Sequence, residues 1–101
     1  MKFLIMAKPG RTPIPPEHAI GLLQAAKKWI DEHLADGRID CHYHFLDGGG
    51  FSISNGDSHE DILDGLLTYP LYPFMSWEVK PLCEWKHSYD QYVEAYKRAG
   101  S

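Results

Sequence analysis

Only two cysteines, Cys41 and Cys83, occur in 101 residues, too few for a disulfide scaffold and without the spacing of a metal-binding pair. Both read as reduced thiols, which suits the cytoplasm. Positive charge is also scarce, with ten Lys and Arg against fourteen Asp and Glu and a formal net charge of −4. No basic block follows a phosphate backbone, so nucleic acid is not an expected partner. Long apolar runs are missing too. Phe3–Ala7 is closed by Lys8 and Pro9 before it reaches the length of a signal-peptide core, and no stretch could span a bilayer. No membrane partner is expected. The length supports one hydrophobic core, which a chain this small gains from covering with a partner surface. The expected unit is a single domain over residues 1–101, with a core over 1–85 and a C-terminal helix or arm over 86–101.

What is present is regular periodicity. Lys2–Lys8 has the content of a short strand, stopped by Pro9-Gly10. Between Glu17 and Asp36, Ala19, Leu22, Leu23, Ala26, Trp29, Ile30 and Leu34 recur at helical spacing before Gly37. The apolar arc of this helix takes in Lys27 and His33. Arg38–Phe45 alternates, with Ile39, Cys41, Tyr43 and Phe45 on one face and Asp40, His42 and His44 on the other. The turn Asp47–Gly50 leads to a returning strand in which Phe51 and Ile53 alternate with Ser52 and Ser54. Asp57 and Glu60 open a second helix with the buried stripe Ile62, Leu63, Leu66 and Leu67. Met75–Leu82 is a final strand, and Tyr89, Tyr92, Val93 and Tyr96 mark a C-terminal helix.

The order strand, helix, strand, strand, helix, strand is the split βαβ pattern, which predicts a ferredoxin-like α+β fold. Right-handed crossovers place both main helices on one face of a four-stranded antiparallel sheet. The other face meets solvent or a second subunit.

Thr68–Cys83 reads TYPLYPFMSWEVKPLC, and its Pro70, Leu71, Tyr72, Pro73, Phe74, Met75, Glu78, Val79, Leu82 and Cys83 resemble the signature of the muconolactone Δ-isomerase family. The resemblance implies a dimeric α/β barrel, a homodimer or larger homo-oligomer, and proton transfer on an unsaturated lactone without metal or organic cofactor. It places Lys27 on a family lysine and Lys28 where the family has a carboxylate. It also implies that the strands carrying Cys41 and Cys83 lie at opposite sheet edges, roughly 14 Å apart, beyond the reach of a disulfide.

Four residues are candidates for the chemistry. Lys27, a cation in an apolar arc, either holds a substrate carboxylate or carries its ammonium out to water. His42 and His44, about 7 Å apart on one strand face, suit two acid/base groups, a metal pair, or a plain polar face. Glu78 is either a base or a salt-bridge partner. His33 reads as a core histidine with one hydrogen bond. The aromatics Tyr69, Tyr72, Phe74 and Trp77 cluster after the second helix. Tyr43, Tyr72, Phe74 and Trp77 are the candidates for contact with a flat small-molecule substrate. If the alternation of the second strand holds, its histidines and Lys27 face opposite sides of the sheet.

The expected function is a cofactor-independent isomerase moving a proton on a small unsaturated lactone or carboxylic acid. The same fold also accommodates a cofactor-free monooxygenase or cyclase acting on an aromatic substrate, or a non-catalytic oligomeric binding protein.

Overall fold

Strand β1 (Lys2–Pro9) runs down the middle of a sheet whose order is β2-β3-β1-β4. The computed structural model describes residues 1–100. Helix α1 (Ala19–Ala35) follows a short 3-10 turn at Pro16–His18. The predicted helix start at Glu17 therefore moves to Ala19, because Pro15 and Pro16 hold that turn apart from the helix proper. Strands β2 (Ile39–His44) and β3 (Gly50–Asn55) form a hairpin. Helix α2 (His59–Leu67), strand β4 (Met75–Leu82) and helix α3 (Trp85–Gly100) complete the chain. All three strand pairings are antiparallel. The edge strands are β2, carrying Cys41, and β4, with Cys83 just beyond its end, and both thiols are free.

The start of α2 corrects one detail of the capping pattern. Ser58, not Asp57, is the N-cap: its hydroxyl oxygen accepts from the Asp61 backbone N–H at 3.1 Å. The Asp61 carboxylate in turn accepts from the Asp57 N–H at 3.0 Å. Two otherwise orphaned donors are satisfied reciprocally.

Both helices cover the sheet face that carries Phe3 and Ile5, which form a buried cluster with Leu66 of α2, edged by Ile62, Tyr72 and Trp77. The strand register puts Ser52 opposite Ile5 and Ser54 opposite Phe3, so the serines of β3 lie under the helices and are buried. Phe51 and Ile53 point to the open face, beside Met6 and Leu4. Both sheet faces thus carry apolar residues, and only one is covered within the chain.

The predicted alternation of β2 is broken by a bulge. Ile39 pairs with Ser54 and Cys41 with Ile53, leaving Asp40 as an extra residue. The extra residue reverses the parity of the strand. Ile39, His42 and His44 all face the helices, while Cys41 and Tyr43 face outward. The expectation that the histidines lie on the side away from the helices is corrected accordingly. The bulge is held by side chains from β1 and β3. Lys2 pairs with Asp40 at 2.5 Å, and Asn55 donates to Asp40 at 2.7 Å and to the Gly37 carbonyl at 3.0 Å. These contacts hold the Asp40 carboxyl below its ordinary pKa. Their stabilising effect is present above about pH 4 and is lost as the pH falls through the depressed folded-state value.

Helix α3 extends away from the body. The molecule measures 66 × 29 × 24 Å with a radius of gyration of 17.4 Å, against about 13 Å for a compact chain of this length. Its aromatic stripe is open to solvent, Trp85 by 63% and Tyr96 by 80%.

Candidate active site

A cavity of about 250 Å³ lies between the sheet and the two main helices. Its floor is the inward face of the strands, with Ile5, Ile39, His42, Ser52 and Trp77. Its roof comes from Leu23, Trp29 and Ile30 of α1 and from Leu66, Tyr69 and Leu71. Gly49 and Gly50 lie at the end where the hairpin turns.

His42 is the central polar group. Its Nδ1 is hydrogen-bonded to the Ser52 hydroxyl at 2.7 Å, across the paired positions of β2 and β3. Its Nε2 is buried without a hydrogen-bond partner in the chain, an unusual state for a buried polar atom. Burial lowers the His42 pKa from the ordinary histidine value, and the neighbouring His44 adds to the effect. The two rings meet edge to face with centroids 4.9 Å apart. His42 is therefore the neutral imidazole at pH 7, able to accept a proton inside an apolar cavity.

In an NMR titration, the His42 ring is expected to have its midpoint below about 6.5; a midpoint at or above that value would contradict the geometry. As the pH drops through 6.5 the unfolded chain takes up a proton that the folded chain refuses. Stability falls across the interval down to the folded-state pKa and levels off below it.

The aromatic roof is held by hydrogen bonds. The Trp29 indole N–H donates to Thr68 Oγ1 at 2.9 Å, and the Trp77 indole N–H donates to the Tyr72 carbonyl at 3.1 Å. Tyr69 bridges the two indoles edge to face, with centroids 5.0 Å from Trp29 and 5.7 Å from Trp77. Burial raises the Tyr69 pKa, so it stays a neutral phenol. Such groups suit the faces of a flat ring.

Of the residues singled out in the sequence, the cavity gathers His42, His44 and Trp77. Tyr72 stacks behind Trp77 with centroids 5.5 Å apart. Phe74 lies in a separate depression with Pro15, Leu22 and Pro73. Tyr43 is exposed on the open sheet face, against Phe51. Glu78 is exposed on that face as well and pairs with Lys80 at 3.3 Å. Lys27 is exposed on the flank of α1, since Ala26, Trp29 and Ile30 are the residues that this helix turns inward. Lys28 pairs with Glu32 at 3.8 Å on the surface. His33 is a packed structural residue: its ring stacks on Trp29 and its Nδ1–H donates to the Trp29 carbonyl at 2.7 Å.

Ser52 and Trp29 are not among the sequence candidates: Ser52 is the polar half of an alternating strand, and Trp29 belongs to the apolar arc of the first helix. The one signal for Ser52 is the presence of two serines where a strand under helices normally carries aliphatic residues.

No protein-family model matches the sequence, and no curated protein is significantly similar to it in sequence. Solved structures do match. One similar structure is the 5-chloro-2-hydroxyhydroquinone dehydrochlorinase of Burkholderia phenoliruptrix AC1100, in complex with 2,5-dihydroxybenzoquinone. It has a TM-score of 0.68 and 19% identity, over 86% of this chain and 98% of that one. Another is muconolactone isomerase, with a TM-score of 0.74 and 23% identity, over 83% of this chain and 90% of that one. The four-stranded antiparallel sheet and its helices thus have the muconolactone isomerase fold.

Proposed function

We propose that the chain is a small-molecule enzyme that shifts a proton on a small unsaturated ring such as a lactone, with His42 as the group that takes and returns it. The observation that carries this reading is the neutral, half-buried imidazole with one nitrogen tied to Ser52 and the other unpartnered. When Nδ1–H donates to the Ser52 oxygen, Nε2 is the basic nitrogen. It removes a proton from a carbon conjugated to the ring carbonyl, leaving a dienolate, and the imidazolium returns that proton at another carbon. The double bond moves and no net electron is gained or lost. His44, exposed and with its ring centroid 4.9 Å from that of His42, stands close enough to relay the proton to solvent. Lys27 and Glu78 lie outside the cavity of a single chain, and this mechanism does not use them.

The fold neighbours named for a lactone isomerase and for a dehydrochlorinase holding a quinone are consistent with a small ring in this cavity. The test is incubation with a series of unsaturated lactones in D₂O, the uncharged angelica lactones as well as the carboxylate-bearing muconolactone, followed by proton NMR. Deuterium incorporation and double-bond migration are the expected result; no exchange across the series would sink the proposal.

The same proposal includes self-association through the open sheet face and the α3 stripe. The full chain is expected to sediment as a dimer or larger species. The triple substitution Tyr89→Glu, Tyr92→Glu, Tyr96→Glu should shift it to a smaller one. A wild-type monomer at micromolar concentration would refute this part.

A further inference from the structure

Among the described residues, no Lys, Arg, Asp or Glu lines the cavity. Its polar groups are imidazoles, hydroxyls and indole N–H groups. The cations elsewhere on the chain are either paired or lie outside the cavity wall. Lys2 is bound to Asp40 and Asn55, Lys80 to Glu78 and Lys28 to Glu32. Lys8 lies 3.9 Å from Asp47 and over the Phe45 ring. Lys27 and Arg11 are exposed and outside the cavity wall. A carboxylate entering here would lose its water and find no lysine or arginine beside it.

From this we infer that the cavity selects a flat, uncharged single-ring ligand bearing a hydroxyl or enol group for the unpartnered nitrogen of His42, and discriminates against ring carboxylates. The volume of about 250 Å³ is below that of drug-sized sites and suits one substituted ring. The aromatic set Trp29, Tyr69 and Trp77 supplies the faces that such a ring needs. The inference rests on reading this cavity as the substrate site, but charge selection and proton transfer are separately measurable.

The experiment compares two probes of one skeleton, methyl 4-hydroxybenzoate and 4-hydroxybenzoate, by calorimetric titration of the full chain at neutral pH. The His42 ring resonances are followed in parallel. The ester is expected to bind roughly 10- to 100-fold more tightly and to shift the His42 resonances. Equal or tighter binding of the carboxylate overturns the inference, as does failure of both to bind at millimolar concentration. Ester binding without turnover of any lactone leaves this inference standing and removes the proton-transfer mechanism. Turnover of a carboxylate-bearing lactone without ester binding does the reverse.

Discussion

Replacing His42 by phenylalanine is expected to slow proton exchange on the substrate ring by about 10²- to 10⁴-fold, the usual contribution of a positioned acid/base group. The variant should still fold, because Phe fills a similar volume under the same helices and the imidazole makes a single hydrogen bond to the protein. The cost to stability is the Ser52 hydroxyl left without that partner, about 1 to 3 kcal/mol. Two companions sharpen the result. Ser52→Ala removes the group that selects the tautomer and should lower the rate less than His42→Phe, while raising the apparent pKa of the rate profile little. Lys27→Ala, on the exposed flank of α1, should leave the rate close to that of the wild type. If Lys27→Ala abolishes exchange and His42→Phe does not, the base lies outside this cavity.

The second large effect is on stability. Gly49 has φ +79°, and a Cβ placed there would lie 2.1 Å from the Ala7 carbonyl oxygen and 2.9 Å from the Lys8 Cα. Both are backbone atoms of the central strand and cannot rotate away. The left-handed conformation alone costs a non-glycine residue about 1 to 2 kcal/mol, and forcing the hairpin off β1 adds about 1 to 3 kcal/mol. Gly49→Ala should therefore lower the melting temperature by roughly 10 °C or more. Gly48→Ala is the matched control. Its φ is also positive, at +108°, but its Cβ would meet only Pro9 side-chain atoms at 3.6 Å and beyond. It should carry the strain without the clash. Equal melting temperatures for the two variants would mean that the hairpin does not close on β1 as described.

The legibility of the molecule followed the range of the interactions involved. Strand β4 was readable to its ends at Met75 and Leu82, because alternation and the preceding Tyr72–Phe74 turn are local. The helices were readable apart from their first residues, where a proline turn and a serine cap decide the boundary. The site was only partly readable. Both histidines are recognisable by type, but strict alternation places them on the opposite face, and nothing local signals that Ser52 meets His42.

The order of elements, the antiparallel hairpin and the placing of both main helices on one side follow from local pattern, because hydrophobic period and chain handedness act over a few residues at a time. The tertiary structure decided which face of β2 is the inside. That depends on the Asp40 bulge, which is held by Lys2, 38 positions away, and Asn55, 15 positions away. One extra residue reverses every side chain beyond it. Only the folded sheet, by bringing those partners to Asp40, turns His42 and His44 from a solvent-facing pair into the polar groups of an apolar cavity.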